Sequence, residues 1–467
     1  MTEEVDYVVK GAGAAAMGFV DVLLRETDAT IAIVDRGASP GGHWNFAYPF
    51  VRLHQPASFY GLASQALGDG RIDTEGVNAG LEALPTGVQV ADHFHRAMEQ
   101  VFLPSGRVRY FPMSELSDDG EIRPLLGGDR RRMRVRRKFV DATHLETVIP
   151  ATHRRGFDVA PGAHCVPPNE LPRMAPGFAQ FAVLGGGKTG LDCVSWLLDA
   201  GAHPDAITWV VPRDAWWSDR RALQTLGPLR DRTLHLMLEA NAAMARATTL
   251  DDLCVRMEAA GAWLRLDPAV TPGMHHVATV TPEELARARR IGRILRQGRV
   301  LSIEPGLMTL AGGGVPCGPS TLFVDCTASA LARNRDDRTP VFSEGRIDLN
   351  YVRFPALALS VALIAFIEAH VEDAQARQAM TRVAPMIDTV ADWVDRAAIG
   401  HANQVAWLAH PKLGPWLGAC RLNPIARMMA SIPPEDRTAA ALRDRIRATA
   451  PEAGRNIQRL AAARLEN

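Results

Sequence analysis

The sequence has no surplus of either charge: 52 Lys and Arg stand against 52 Asp and Glu in 467 residues. A dedicated nucleic-acid binder normally carries a basic surplus, so no nucleic-acid partner is expected. Cysteine is scarce and unpaired along the chain. Cys165, Cys193, Cys254, Cys317, Cys326 and Cys420 form no Cys-x-x-Cys and no close redox pair. That argues against a disulfide framework and against a zinc site, and it makes all six buried, inert thiols. Long apolar runs are also lacking. The longest, Phe354 to Ile367, falls short of the ~20 residues a spanning helix needs, so a buried helix is expected and no membrane span. The N-terminus, Met1-Thr2-Glu3-Glu4, has no basic segment followed by an apolar core. No secretory signal is predicted, and the expected location is the cytoplasm.

Glycine is placed with more purpose. "GAGAAA" at residues 11–16 follows the apolar run Val5 to Val9, which reads as a buried parallel strand. Gly11 permits a tight turn, Gly13 lets the backbone approach a pyrophosphate, and Ala16 still allows close helix–strand packing. Gly18 to Leu24 continues a helix whose N-terminal amides would face phosphates. The next strand, Ile31 to Val34, ends in Asp35, a carboxylate placed to accept hydrogen bonds from a ribose 2′-hydroxyl. Lys10, directly before the first glycine, lies near the pyrophosphate or snorkels to solvent. Strand, turn, helix, strand and acid in that order predict dinucleotide binding.

"GGGKTG" at residues 185–190 repeats the arrangement between the strand-like Phe181 to Leu184 and a helical run from Leu191. Gly185, Gly187 and Gly190 match the full fingerprint, with Lys188 and Thr189 in the turn. The spacing does not fit a nucleoside-triphosphate loop, which needs four residues between its first glycine and Gly-Lys-Ser/Thr. The following strand, Ile207 to Val211, ends in Pro212-Arg213-Asp214, with Arg220 and Arg221 nearby. Arginine here suits a 2′-phosphate, so NADPH is favoured over NADH, with Arg213 and Arg220 as its readers. Asp214 is the alternative, as a partner for ribose hydroxyls. Two turns imply two dinucleotides.

After Asp35 come Arg36, Gly41-Gly42-His43-Trp44, Tyr48-Pro49 and Arg52-Leu53-His54-Gln55-Pro56. At these residues the chain resembles the flavoproteins with two dinucleotide-binding domains, especially the flavin-containing and Baeyer–Villiger monooxygenases. The resemblance implies an α/β fold of two Rossmann-like domains in a glutathione-reductase-like topology, with a helical C-terminal extension. It implies FAD at the first turn and NADPH at the second. Asp35 and Arg36 would then lie at the adenosine, Gly42, His43 and Trp44 along the cofactor, and Arg52, His54 and Gln55 near the flavin ring as catalytic donors. "FVDAT" at 139–143 and "FVDCT" at 323–327 flank the second turn. In the resembling families such strand ends mark where the chain leaves and re-enters the FAD domain, which adds Thr143 to the cofactor-binding residues. Met113 joins them from a strand, Arg107 to Met113, near the adenine.

The resulting division is 1–150 for the first FAD segment and 151–327 for the nicotinamide domain with a helical insertion near Leu234–Ala262. The return of the FAD segment covers 328–370 and a helical region 371–467. Residues 150–176 read as an irregular proline-rich connection, and Arg346 to Leu349 as a strand. Pro355 fits helix position N1, with a buried helix from Ala356 to His370. The basic run Arg130 to Lys138 reads as a solvated hairpin strand. The C-terminal region, with Trp393, Trp407 and Trp416, is either a cap over the substrate entrance or a subunit interface, so a homodimer stays open. For the reaction, the resemblance implies NADPH-driven oxygenation of a small amine, thioether or ketone by molecular oxygen through a C4a-hydroperoxyflavin. The flavin-containing monooxygenase signature, Phe-x-Gly-x-x-x-His-x-x-x-Tyr/Phe, is absent from the interval "CVPPNELPRMAPGFAQF" before the second turn. A reductase or dehydrogenase without oxygen insertion therefore stays open, as does a flavin-binding protein with an inactive nicotinamide site.

Overall fold

The strand built on Val5–Val9, Thr2–Lys10, takes an inner place in its sheet because both its faces are apolar. The computed structural model describes residues 2–329, 338–384 and 386–465, so residues 330–337 of the expected return segment lie outside the described residues. Five strands of the first sheet run parallel in the order Arg346–Asp348, Arg131–Asp141, Thr2–Lys10, Ile31–Val34, Val108–Phe111. The hairpin Ser114–Leu116 and Glu121–Pro124, with the short strand Phe342–Ser343, extends it antiparallel.

A second parallel sheet repeats the plan, in the order His164–Val166, Thr321–Asp325, Gln180–Leu184, Ile207–Val210, Arg293–Leu295. In both sheets the middle strand runs through a glycine turn into a helix, Ala14–Glu26 in the first and Lys188–Asp199 in the second. The strands carrying the Phe-Val-Asp echo hold equivalent places beside those middle strands, and both end in the same turn. Asp141 Oδ1 accepts from the Thr143 amide (2.9 Å) and hydroxyl (2.7 Å). Asp325 Oδ1 accepts from the Thr327 amide (3.0 Å) and hydroxyl (2.6 Å). The echo is one Asp-led turn built twice.

The apolar run forms the helix Leu357–His370, buried from Ala358 to Glu368 and packed against Ala14–Glu26. No helix of the described residues is long and apolar enough to cross a membrane. Pro355 is not at N1: the N-cap is Ala356, and the helix begins one residue later than expected. The proline-rich connection is less irregular than expected. Its strand His164–Val166 edges the second sheet, and Asp158–Val159 joins a separate four-stranded sheet. The helical insertion is two helices, Gly227–Arg246 and Leu250–Ala259.

The basic run does form a strand, but a parallel inner one rather than a hairpin arm alone. Arg131, Arg134 and Arg136 pair with Glu3, Glu4 and Asp6 of the neighbouring strand, and Arg132 pairs with Asp119. Alternating like charges on one strand are tolerated because the adjacent strand supplies the opposite sign at matching register. The C-terminal region consists of Ala374–Met380, Val390–Ala409, Leu413–Ala419, Pro424–Ala430 and Arg437–Leu465. Its tryptophans face inward. Trp393 meets Trp263 edge-on at 5.1 Å, Trp416 stacks on Phe366 at 4.5 Å, and Trp407 Nε1 donates to the Met380 carbonyl. The region thus ties the insertion helices to the first sheet's helix layer within one chain.

Buried histidines, His93 and His275 among them, give the fold an acid limit. Burial beside Trp263 and Trp393 lowers the pKa of His275 to about 3, and burial lowers that of His93 to about 4. In the unfolded chain both titrate near 6.5. Below that pH the unfolded state binds protons that the folded state does not, so stability is lost as pH falls from about 6.5 toward 4. The urea midpoint should drop between about pH 7 and pH 4.5, and His275→Phe should drop less. An unchanged slope in that variant would remove His275 from the account.

Candidate functional site

At the first turn, Gly11 has φ +97°, and a Cβ there would stand 2.9 Å from Thr143 Cγ2. The turn therefore requires glycine, and Thr143 is what packs on it. Gly13 begins the helix, and its neighbour across the turn is the Gly41–Gly42 segment, joined by a hydrogen bond from Gly41 N to Ala12 O. A Cβ on Gly42 would lie 2.9 Å from Gly13 Cα, at a φ of +58°. Two glycine backbones thus face each other with no side chain between them. Asp35 Oδ2 accepts from Ala12 N and Oδ1 from Gly37 N, both at 2.5 Å, and burial raises its pKa. Each oxygen keeps a second lone pair. Ala16 is fully buried against the core. Met113, at φ +48°, hydrogen-bonds Gly37 O and so borders the Asp35 turn. Arg36 is turned away: its side chain is exposed and pairs with Glu115 of the hairpin.

The loop after Gly42 crosses to the second turn. Trp44 Nε1 donates to Tyr60 Oη at 2.9 Å, Tyr48 Oη donates to Asp192 Oδ2 at 2.8 Å, and Phe50 stacks on Trp196. Tyr48 and Trp44 are therefore pinned aromatics that set the loop's path. His43 is surrounded by protein, which lowers its pKa to about 4, although its ring is only partly shielded from open space.

His54 has the most determined environment of the proposed donors. Its Nδ1 accepts from the Thr279 amide at 3.1 Å, while the Thr279 hydroxyl donates to the His54 carbonyl. With Nδ1 accepting, the proton of the neutral ring sits on Nε2. Burial and the charges of Lys188 and Arg220 lower its pKa to about 3, so the ring stays neutral. It is a fixed-tautomer donor, and Nε2 has no hydrogen-bond acceptor among the described residues. Gln55 lies beside it, half-buried, without a side-chain hydrogen bond among the described residues. Arg52 is separated from the pair, with an exposed side chain that donates from Nη1 to the Leu84 carbonyl at 3.0 Å. An extended backbone bridging to Thr86 turns it that way, so the three are not one cluster.

At the second turn, Gly185 has φ +121° and a Cβ would stand 2.6 Å from the Cys326 carbonyl. A Cβ on Gly190 would stand 2.1 Å from the Gly185 carbonyl, which also accepts from Trp209 Nε1. Beside Gly187 there is open space. Lys188 is tied to Asp192 and lies 3.6 Å from Glu284, and Thr189 opens the helix half-buried. Arg213 is half-exposed, and its Nη1 and Nη2 both bond Asp388 at 2.9 Å. Asp214 is buried and held by Arg296, so it is not the free ribose acceptor weighed above.

The expectation for Arg220 is corrected. It is 0% exposed, ion-paired to Glu284 at 2.8 Å, and donates to the His54 carbonyl, Asn78 and the Thr279 carbonyl. A guanidinium used this fully cannot read a phosphate. Instead it fastens the His54 loop to the second half of the chain, a role that only the distant Glu284, Asn78 and Thr279 define. The cysteine expectation is corrected in part: Cys165 and Cys317 are only half-buried, while Cys193, Cys254, Cys326 and Cys420 are buried. Cys193 and Cys326 lie with sulfurs 3.5 Å apart beneath the second turn, a pair hidden by sequence distance. Burial raises the Cys193 thiol well above its ordinary value, which keeps it unreactive. No group of three or more metal-ligating side chains occurs among the described residues.

No family model matches the chain. It is 42% identical over 429 residues to an uncharacterized protein of Mycobacterium tuberculosis (strain ATCC 25618 / H37Rv), covering 92% of this chain and 79% of that protein. An uncharacterized protein of Mycobacterium bovis (strain ATCC BAA-935 / AF2122/97) matches with the same identity and coverage. Among solved structures, an oxidized steroid monooxygenase bound to NADP aligns over 97% of this chain and 99% of its own, at 14% identity and a TM-score of 0.51. That likeness is one of fold.

Proposed function

The chain belongs to the same family as these uncharacterized mycobacterial proteins, and we propose that it is an FAD-dependent, NADPH-reduced oxidoreductase that oxygenates a small organic molecule. The observation that carries the reading is the duplication: two parallel sheets in one strand order, each with a glycine turn and each with the same Asp–Thr turn beside it. One nucleotide needs one such turn, and a chain with two suits a resident dinucleotide and a visiting one. The fold likeness to a steroid monooxygenase bound to NADP supports the reading. We assign 1–150 and 328–370 to the FAD domain, 151–327 to the nicotinamide domain, and 371–467 to the helical region.

The residues fit FAD. The face-to-face backbones of Gly13 and Gly42 form a cradle that any side chain would fill, and Asp35 keeps lone pairs for ribose hydroxyls. FAD, once bound, would supply two-electron chemistry and reactivity toward oxygen. The chain's own part is to hold the cofactor at Gly11, Gly13, Asp35 and Gly42, and to accept the nicotinamide at Gly185, Gly187 and Thr189. His54 offers a neutral Nε2–H donor to charge developing in the cleft, with Gln55 beside it. Burial around His43, His54 and Tyr48 limits water there.

Anaerobic NADPH should bleach the flavin of the purified yellow protein, and oxygen should restore it with formation of oxygenated product. Protein that cannot be loaded with FAD overturns the reading. Reoxidation without oxygen insertion into any substrate tried would favour the reductase alternative that the missing histidine signature keeps open. Arg213 is the remaining candidate reader of the 2′-phosphate, shared with Asp388. Arg213→Ala should lower the NADPH/NADH preference about tenfold, measured as the ratio of reduction rates, because a charge-assisted pair is worth about 1.5–3 kcal/mol and Asp388 offsets part of it. A ratio that does not move assigns the phosphate to another residue.

A further inference from the structure

A cavity of about 340 Å³ lies between the segment leading into the helix Leu357–His370 and the C-terminal helices. Its walls are apolar and polar in nearly equal parts, with Met244, Val277, Ile387, Trp393 and Ile457 on the apolar side and Asn241 and His401 on the polar side. Two arginines interrupt that surface, and among the described residues neither is hydrogen-bonded or ion-paired to a carboxylate. Arg396, on Val390–Ala409, is 4% exposed. One of its terminal nitrogens donates to the Ala384 carbonyl, and its guanidinium lies over the Phe354 ring at 4.1 Å. Its Nε and Nη1 are buried and without a hydrogen-bond partner among the described residues.

Arg353 is the second. Its backbone is fixed by Ser360, whose hydroxyl accepts from the Arg353 amide and donates to the Arg353 carbonyl. Its side chain is exposed by area, yet protein surrounds it closely enough that burial lowers its pKa. It lines the cavity. Gly400, one turn beyond Arg396, has no side chain to oppose it: a Cβ there would stand 3.9 Å from Arg353 Nη1. Among the described residues its one side-chain partner is the neutral Gln404, at 3.4 Å. The acid one turn before Arg396, Asp392, is spent as a helix cap, accepting from the amides of Asp388 and Thr389. Arg338 adds a further positive charge near Arg396.

Buried guanidinium nitrogens without acceptors are costly, and a native site normally satisfies them. The shape of the missing acceptor follows from the donors: planar, anionic and small, attached to an apolar body. We propose that this cavity binds the substrate and that the substrate class is a small organic carboxylate, its acid group held by Arg396 and Arg353. Its role as the substrate pocket rests on the flavoprotein reading above, whereas the carboxylate site itself does not.

The test is calorimetric titration of the FAD-loaded protein with acetate, hexanoate, phenylacetate and indoleacetate, each against its primary amide. Flavin content is read by absorbance on the same samples. At least one acid should bind about tenfold to a hundredfold tighter than its amide, the worth of a charge-assisted contact. Arg396→Met and Arg353→Gln should each reduce that preference, and Arg353→Gln, which leaves the buried layer intact, guards against loss of fold in the first. Equal binding of every acid and amide, or a preference that survives both substitutions, overturns the inference while leaving FAD binding untouched. An acid preference in protein that holds no flavin keeps the carboxylate site and removes the reaction assigned to it.

Discussion

Gly13→Val should give a folded protein that purifies without flavin. A Cβ at Gly13 meets only Gly42 Cα, at 3.7 Å, which is ordinary contact, so the polypeptide itself has little objection to a side chain there. What the side chain removes is the approach of a pyrophosphate to the amides opening the helix Ala14–Glu26. Losing two charge-assisted hydrogen bonds costs about 3–6 kcal/mol, or roughly a hundred- to ten-thousandfold in retention. The choice of glycine matters. At Gly185 and Gly190 a Cβ would strike carbonyl oxygens at 2.6 and 2.1 Å, so a loss of function there could not be told from a broken turn. The measurement is flavin absorbance per chain after desalting, together with the melting temperature against flavin-stripped wild type. A variant that melts like the stripped wild type and holds no flavin supports the assignment. One that keeps its flavin places the cofactor elsewhere.

His54→Ala should leave FAD bound and lower product formation by about 10²–10³, the usual effect of deleting one preorganised donor. NADPH oxidation should continue and release hydrogen peroxide instead. The donor is preorganised because the Thr279 amide occupies Nδ1, leaving the proton on Nε2, and because burial and nearby Lys188 and Arg220 keep the ring neutral. Two comparisons separate this role from mere packing. Between about pH 5 and pH 9 the wild-type rate should show no ionisation lost in His54→Ala, since the histidine pKa lies near 3 and the ring is already neutral throughout. Thr279→Val removes the hydroxyl contact to the His54 carbonyl but keeps the amide that fixes the tautomer, so its effect should be much smaller. Arg220→Met should behave differently again, costing stability by up to about 3–5 kcal/mol, because buried Glu284 would keep only Lys188, 3.6 Å away, and the Thr281 amide. Equal product yields from wild type and His54→Ala would remove the donor role.

How far the sequence could be read depended on how local each feature is. The two glycine turns were legible because a tight turn, a close approach and a helix start each constrain one residue by its neighbours. The buried strands and the apolar helix Leu357–His370 were legible from runs of apolar residues, and the Asp–Thr echo proved to be one turn made twice. Charged side chains followed another rule. Arg213 stays half-exposed but is shared with Asp388, and Arg220 looked like a phosphate reader until Glu284, Asn78 and Thr279 enclosed it. Cys193 and Cys326 became neighbours, and Arg353 and Arg396 came to share a cavity, only through packing of distant segments. A backbone turn is dictated by sterics over a few residues, so the sequence determined where the two glycine turns form. The availability of a charge depends on burial and on partners chosen by the tertiary packing, so only the folded chain decided which arginines hold the structure together and which remain free for a ligand.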